Sequence, residues 1–373
     1  MDMSGFSGTV TFGGSEPWFS VDVSSVAFSI GSLEIRWYGI FIAVGLLLAL
    51  LYAMHYAKSF GIDNDRMMDV CFLSIIIGVI GARLYYVVFN YQKEFAGQPF
   101  SEVFRIDKGG LAIYGGIIFG LLSGYFLCKW RKIRALPMLD LASIGFLIGQ
   151  SIGRWGNFTN QEAFGCNTTL PWGMYSSATN AYLSSASSQL SQMGVAVDPT
   201  QPVHPCFLYE SIWCLVGFLF IHFVLRKHRR YDGQIFLTYL LWYGLGRFWV
   251  EELRTDSLMM GPYRISRFIA GICVVGAAIL LIVFRKRRSI FGEEGLRLQL
   301  AAEAEEKERR KAAKNARCAQ QAATEPADEC GAADVESESG EAVPATEPAD
   351  VGSESDEAVP ATEPAIDDHP TDR

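Results

Sequence analysis

The sequence predicts an all-α integral membrane protein with about seven transmembrane helices, and two observations carry this prediction. Half of the 373 residues are hydrophobic, a share too high for a soluble domain that also carries a long charged tail. Apolar runs of about 20 residues, the length that crosses a bilayer as a helix, recur along the chain. We therefore expect a membrane body over residues 37–285.

The expected helices are seven apolar runs separated by polar connections. The fourth is the weakest, because it is short and carries Asp140 and Gln150. The seven runs are 37–57, 69–90, 110–130, 138–154, 206–226, 234–253 and 264–284.

Lysine and arginine in the connections predict the orientation of these helices. They cluster after the first, third, fifth and seventh helices, whereas the long loop 155–205 contains neither. The connections after the second and sixth helices are mildly basic, which weakens the contrast without reversing it. We expect the N-terminus outside and the C-terminus in the cytoplasm.

Four further segments flank or interrupt the helices. Residues 1–36 are predicted to form an outer interfacial segment, and loop 155–205 a small outer cap that holds a short helix. Residues 286–322 are predicted to be a charged cytoplasmic segment, in which helix formers of mixed charge favour a helix. The acidic Ala/Glu/Pro tail 323–373, with "ATEPA" at 323, 345 and 361, is predicted to be disordered. Deleting residues 300–373 is expected to leave activity intact.

Two of the eight cysteines flank the outer loop. Cys166 and Cys206 could form a disulfide, if the loop lies in an oxidising compartment, or remain two thiols. The sequence leaves both alternatives open.

Polar and ionisable residues in the apolar runs fall at the predicted outer end of the bundle. Such residues are costly within a membrane, so each is a candidate for function. Three of them, spaced by four, share one face of the sixth helix. The candidates are Arg83, Tyr114, Arg154, Asn157, His204, Glu210, Tyr243, Arg247 and Glu251.

Two arginines in a low-dielectric site require anionic partners. Glu162, Glu210 and Glu251 supply some, and a phosphodiester headgroup would supply the rest, because the guanidinium fork matches phosphate geometry. The motif "GRWGNFTNQEAFG" (153–165), at the end of the fourth helix, therefore predicts a lipid-headgroup site that opens sideways to the outer leaflet.

Structural explanations of the same residues remain open. Arg83 could be a snorkelling or ion-pair residue, and the face with Arg247 and Glu251 could be a salt-bridge ladder between helices. His204 could be an ordinary loop residue before a helix, and Glu210 could serve only to orient an arginine.

The motifs resemble those of bacterial phosphatidylglycerol–prolipoprotein diacylglyceryl transferases. Besides "GRWGNFTNQEAFG", the resemblance is carried by "IRWYGI", "GARLYYVVF", "GGLAIYGG", "HPCFLYE" and "YGLGRFWVEELR". Order and spacing agree over about 35–255, which covers the whole membrane body.

The resemblance implies transfer of the diacylglyceryl group of phosphatidylglycerol to the lipobox cysteine of a prolipoprotein, with release of glycerol phosphate. It implies a bacterial cell membrane, a site at the outer leaflet and the signal peptides of prolipoproteins as partners. It identifies Arg154 as the phosphatidylglycerol-binding arginine of the motif and Arg247 as the essential arginine of the sixth helix. Essential places also fall to Asn157, Glu162, Gly165 and Tyr38. Tyr114 stands where many relatives have a histidine that has been proposed as catalytic.

The implied chemistry has two tasks. The thiol must become a thiolate, which is the nucleophile, and the charge of the leaving phosphate must be stabilised. We assign the second task to Arg154 and Arg247, with Asn157 as donor, and expect Tyr243 and Glu251 to position Arg247. For the first task the candidates are Tyr114, Glu162, Glu210 and His204. The preferred alternative has no dedicated base, with the arginines lowering the pKa of the substrate thiol.

Two other classes of function remain to be weighed. A lipid or solute transporter could also bind a headgroup, but the sequence has no inverted repeat and few polar groups in the inner half of the helices. A seven-helix receptor or scaffold would not require so many charges at one depth. No metal is expected, because the five histidines are scattered and no Cys/His cluster has ligand spacing. No cofactor and no nucleic-acid partner are expected either.

Overall fold

The computed structural model describes residues 7–13, 17–31, 33–105, 109–192, 195–255, 259–260 and 263–324. The chain divides into two compact units, 1–310 and 311–373, and the described part of the second is the end of the last helix. The helices are α1 (Trp37–Tyr56), α2 (Asn64–Asn90), α3 (Ile113–Trp130), α4 (Ala135–Thr159), α5 (Ser177–Gln192), α6 (Cys206–Phe220), α7 (Arg226–His228), α8 (Gln234–Leu253), α9 (Ile265–Val283) and α10 (Gly292–Thr324).

The expected fold class, a mostly helical membrane protein, is confirmed. Six helical segments of the described chain are long and apolar enough to cross a membrane: Trp37–Phe60, Asn64–Phe95, Ile113–Trp130, Ala135–Thr159, Cys206–His228 and Ile265–Lys286. The remaining expected span corresponds to α8, which has 20 residues but is less apolar because it carries Arg247, Glu251 and Glu252. The count of seven spans and their orientation therefore stay predictions.

The fourth helix differs from its expected bounds. It has 25 residues and ends at Thr159, so Arg154 and Asn157 lie within the helix instead of at its exit. Polar side chains do not end a helix whose backbone hydrogen bonds continue. The connection that follows α4 therefore begins after Thr159, later than predicted.

Helix α4 is central to the bundle, because it packs against α1, α6 and α8. Two of its polar residues bond to neighbouring helices. The Asp140 carboxylate, fully buried, accepts hydrogen bonds from the backbone N–H groups of Gly233 (2.7 Å) and Phe236 (2.8 Å) at the start of α8. The Ser151 hydroxyl donates to the carbonyl oxygen of Ser211 on α6, at 3.0 Å, and the Ser211 hydroxyl donates back at 2.8 Å. These bonds fix α6 and α8 relative to α4.

Short strands, which the all-α expectation did not include, precede and interrupt the helices. A three-stranded antiparallel sheet has the order β2-β1-β5, and β3 pairs with β4. Alternation of apolar and polar residues in "TVTF" and "SVDV" favours a strand with one buried face. The strands are β1 (Ser7–Phe12), β2 (Phe19–Ser24), β3 (Val26–Ile30), β4 (Leu33–Arg36), β5 (Met174–Ser176), β6 (Met259–Met260) and β7 (Tyr263–Arg264).

The first sheet packs with α5, the helix expected in the outer loop, around a small apolar core of its own. This core includes Val10, Val23, Phe164, Leu183 and Val203. Since Phe164 belongs to the "GRWGNFTNQEAFG" motif, the cap is built onto the motif itself. Cys166 and Cys206 are not joined by a disulfide.

The segment from Phe291 into the first half of α10 bonds to the start of α2 and to two connections at one end of the bundle. The bonds are Arg66 Nη2 to Glu303 Oε2 (2.6 Å), Gln299 Nε2 to the Lys132 carbonyl (2.9 Å) and the Phe291 N–H to Asp232 Oδ2 (3.0 Å). Hydrogen bonds from Arg66 and Gln299 lower the pKa of the Glu303 carboxyl to about 2. The acidic tail lies, from residue 325, outside the described residues.

Candidate active site

A cluster of ion pairs joins α4, α6 and α8 around Glu210. The Glu210 carboxylate lies 2.5 Å from Arg154 Nη2, 3.2 Å from Arg247 Nη1 and 3.6 Å from Arg254 Nη1. Arg247 also pairs with Glu251 at 2.5 Å, one turn further along α8. The side chains of Arg154 and Arg247 are only 18% and 17% exposed, so water screens these charges weakly. We call these five residues the arginine cluster.

Tyr243 extends the cluster by one turn of α8. Its hydroxyl lies within electrostatic range of Arg154, Glu210 and Arg247. Its ring stacks on Tyr239, with centroids 5.8 Å apart, and the Tyr239 hydroxyl accepts a hydrogen bond from Gln150 at 2.9 Å. Gln150, one of the polar residues of the fourth run, is thus bonded to the sixth run.

The motif that follows Arg154 turns Glu162 back toward α4. Asn157 Nδ2 donates to Glu162 Oε1 at 2.9 Å, and Asn160 Nδ2 donates to the same oxygen at 3.3 Å. Gln161 and Ala163, on either side, adopt left-handed φ angles of 52° and 59°. Non-glycine residues rarely adopt this conformation, and strained backbone of this kind concentrates at functional sites.

Tyr38 of α1 lies against this motif. A Cβ atom on Gly156 would come within 2.4 Å of the Tyr38 ring, so glycine is required for the two helices to approach. Tyr38 also interacts electrostatically with Glu162 and Arg154. Tyr38 is therefore close to both the glutamate of the motif and the arginine cluster.

Gly165 brings three segments of the chain together. Its N–H donates to the His204 carbonyl at 2.9 Å, and the next residue, Cys166, donates to the Leu253 carbonyl at 2.7 Å. A Cβ atom on Gly165 would lie 2.7 Å from His204 Cβ and 3.1 Å from the Leu253 oxygen. The motif can close onto the ends of α6 and α8 only with glycine at this position.

His204 bonds to aromatic residues beside the cluster. Its Nδ1 lies 3.2 Å from the Tyr209 hydroxyl, which accepts a hydrogen bond from Trp172 Nε1 at 2.8 Å. Burial lowers the pKa of His204, so the imidazole is neutral at pH 7. The structure gives this histidine a role in joining the cap to α6.

Comparison with known proteins places the chain in a family. The model of the prolipoprotein diacylglyceryl transferase family matches residues 25–283.

The chain belongs to the prolipoprotein diacylglyceryl transferase family.

Curated relatives agree with this assignment, and each carries the name phosphatidylglycerol–prolipoprotein diacylglyceryl transferase. The protein of Clostridioides difficile is 41% identical over 262 residues, which cover 70% of this chain and 96% of the relative. The protein of Finegoldia magna is 37% identical over 262 residues, with the same two shares. The protein of Bacillus cereus is 40% identical over 261 residues, covering 70% of this chain and 92% of the relative. The resemblance predicted from the motifs is confirmed.

In this member of the transferase family, Arg83 bonds to the α2–α3 connection. Its guanidinium donates four hydrogen bonds to backbone carbonyls, at distances of 2.8–3.0 Å, those of Glu102, Val103, Gly109 and Gly110. It also lines a pocket of about 300 Å³ with Tyr86 and Glu94. The bonds of Arg83 thus go to the backbone of this connection and not to the arginine cluster.

Tyr114 lies in the first turn of α3, where it is 36% exposed. Within the described ranges no hydrogen bond joins its hydroxyl to the arginine cluster. The structure does not bring Tyr114 into the network of paired charges.

One member of the cluster was missed from the candidate residues. Arg254 follows Arg247 by seven residues and Glu251 by three, which places it on the same helical face just beyond α8. This spacing was visible in "YGLGRFWVEELR". Because Arg254 lies just beyond the sixth apolar run, it contributes to the mildly basic connection after that run and is not among the candidates.

Proposed function

We propose that this chain transfers the diacylglyceryl group of phosphatidylglycerol to the lipobox cysteine of prolipoproteins. The names of its relatives contain this lipid, this class of protein and this transferred group. The cysteine sulfur forms a thioether with a carbon of the diacylglyceryl group. The bond from that carbon to the phosphate oxygen breaks, and glycerol phosphate leaves. Family membership over residues 25–283 supports the reaction. The observation that carries the assignment to this site is the single carboxylate, Glu210, shared by Arg154 and Arg247.

The shared carboxylate supports a headgroup site for a physical reason. It holds two guanidinium groups side by side in a largely buried place. Each guanidinium has five N–H donors, so a phosphate could accept hydrogen bonds from both. Preorganised cations of this kind stabilise the charge that develops on a leaving phosphate, and a dry site strengthens their effect. Arg154 and Arg247 therefore bind the phosphate, and Glu251 and Tyr243 position Arg247.

The motif residue Asn157 is a further hydrogen-bond donor to the leaving phosphate. Asn157 lies one turn beyond Arg154 and donates to Glu162 at 2.9 Å, and Glu162 is within electrostatic range of Tyr38. No dedicated base is assigned. The arginines favour the thiolate form of the incoming cysteine, because a nearby positive charge lowers the pKa of a thiol.

The reaction takes place at the outer leaflet of the bacterial cytoplasmic membrane. This part of the proposal rests on the Lys/Arg distribution, which predicts that the arginine cluster lies at the outer end of the helices. The lipobox segment of a prolipoprotein signal peptide reaches the site from the same side.

An in vitro transfer assay tests the proposal. Purified protein is mixed with phosphatidylglycerol vesicles and a lipobox peptide, and the product is measured as the mass gain of one diacylglyceryl group on cysteine. We expect transfer by the wild type, none by Arg154→Ala, and full activity in Arg310→Ala, whose side chain is 79% exposed on α10. Absence of transfer by a folded wild type across several lipids would contradict the proposal and favour a lipid transporter.

A further inference from the structure

Helices α6 and α8 are joined by a reciprocal pair of tryptophans. Trp213 Nε1 donates to the carbonyl oxygen of Trp242 at 2.9 Å, and Trp242 Nε1 donates to the carbonyl oxygen of Trp213 at 2.9 Å. The two rings stack, with centroids 4.7 Å apart and planes inclined by 23°. Each helix thus supplies one donor and one acceptor to the other.

Each tryptophan fits over a glycine of the opposite helix. A Cβ atom on Gly217 would lie 2.4 Å from Trp242 Nε1, and one on Gly246 would lie 2.3 Å from Trp213 Nε1. The tryptophan and glycine of each helix are four residues apart, in "WCLVG" of α6 and "WYGLG" of α8. We call these four residues the tryptophan–glycine lock.

The lock is adjacent to the arginine cluster. Glu210 precedes Trp213 by three residues on α6, and Arg247 directly follows Gly246 on α8. Glu210 Oε1 and Arg247 Nη1 are 3.2 Å apart. A slip of one helical turn moves a residue by about 5.4 Å along the axis, which would separate this pair.

Packing and interhelical hydrogen bonds have particular weight between these helices. In a bilayer, apolar side chains gain little by leaving lipid for another helix, so small residues and polar contacts decide how helices associate. An indole N–H in such surroundings also needs an acceptor. The lock meets both conditions for α6 and α8.

We propose that the tryptophan–glycine lock is a positioning device for the transfer reaction, holding Glu210 in register with Arg247. The inference rests on the proposed function, because the arginine cluster is the proposed phosphate site. The four residues act through Glu210 and Arg247 and do not touch the reacting atoms.

Kinetics of two single variants test the lock. Trp213→Phe removes one indole donor and keeps an aromatic ring, whereas Gly246→Ala pushes a methyl group into the Trp213 ring. Since a misplacement of about 1 Å at a reaction centre can cost about a hundredfold in rate, we expect kcat to fall about tenfold or more in both. The KM for the lipobox peptide is expected to stay unchanged. The matched control is Trp130→Phe, on the exposed end of α3, which should keep wild-type kcat.

Cross-pairing provides a second, more specific test. Trp213→Leu in the Gly246→Ala background should restore part of kcat, because it removes the ring that the new methyl group meets. Trp242→Leu in the same background should not, because Trp242 lies over Gly217 and not over Gly246. Thermal unfolding of each variant, measured in parallel, separates a folded variant with low kcat from an unfolded one.

The outcomes are distinct from those that test the function itself. A wild type without transfer contradicts the proposed function. A wild type with transfer, together with wild-type kcat in folded Trp213→Phe, overturns the lock. The lock would also be overturned if Trp130→Phe lowered kcat as much as Trp213→Phe does, or if Trp213→Leu and Trp242→Leu restored kcat equally in the Gly246→Ala background. If Gly246→Ala does not fold, Trp213→Phe decides alone, because that change removes only one interhelical hydrogen bond.

Discussion

Glu210 is the carboxylate that the three arginines of the cluster share. It lies in the first turn and a half of α6, almost fully buried, and it accepts from arginines of α4 and α8. A buried carboxylate needs close cations or hydrogen-bond donors, and removal of one partner leaves buried charge less fully compensated. The charges of Arg154, Glu210 and Arg247 are therefore interdependent, and we expect their substitutions to be non-additive.

Tyr114 is the residue at which this chain departs from the histidine found in many relatives. Tyr114→Phe removes its hydroxyl without changing its ring. The thiolate needs no dedicated base in the proposed mechanism, so we expect kcat to fall by less than about tenfold. Loss of a general base would instead lower kcat by about a hundredfold or more. The transfer assay measures this, with Tyr125→Phe, another exposed tyrosine of α3, as the matched control. A loss of a hundredfold confined to Tyr114→Phe would make Tyr114 the base.

At the scale of elements, α8 is held at both ends by other helices. Its first turn is capped by Asp140 of α4, and its last turns pair with Glu210 of α6. A side chain from another helix thus performs the role of an N-cap residue, which normally belongs to the helix itself. Gly233, the residue before α8, has a positive φ of 95°, and its N–H points at the Asp140 carboxylate.

Removal of this cap should destabilise the protein. Asp140→Ala leaves two buried N–H groups without an acceptor, and each such group costs about 1–3 kcal/mol. We expect a clear fall in the thermal unfolding midpoint in detergent, and a smaller fall for Asp140→Asn, which keeps one amide oxygen. Asp65→Ala, at an exposed position in the first turn of α2, is the control. Equal midpoints for Asp140→Ala and wild type would refute the cap.

At the scale of the whole molecule, the chain continues beyond its family match. The match ends at residue 283, whereas α10 begins at Gly292. Phe291 and the first half of α10 bond to the start of α2 and to two connections of the bundle. These contacts lie within the first compact unit, which ends at residue 310. We infer that residues 289–303 fasten one end of the bundle.

Two truncations separate this fastening from the acidic tail. A chain that ends at Arg310 keeps Glu303 and Gln299, so its transfer activity and unfolding midpoint should equal those of the full chain. A chain that ends at Arg288 loses the bonds to Arg66 and Asp232, so its midpoint should be lower. Transfer assays and thermal unfolding in detergent measure both. Loss of activity in the chain ending at Arg310 would show that the tail takes part in the reaction.

The sequence by itself determined the class of the protein and most members of its cluster. Apolar runs of bilayer length require helices, because only helices and closed barrels satisfy backbone hydrogen bonds in lipid. The spacing of Tyr243, Arg247 and Glu251 placed them on one face, and the variety of polar residues in the motif around Arg154 indicated the candidate site.

Only the tertiary structure decided which charges meet. Nothing in the spacing within α6 indicates that Glu210 pairs with arginines of two other helices, because such pairs depend on how the helices are turned and shifted against one another. The same holds for the Asp140 cap, for the tryptophan–glycine lock and for Arg83, whose partners are carbonyl oxygens that carry no sequence signal. Periodicity along a chain determines the face of each helix, whereas packing between helices determines what that face contacts.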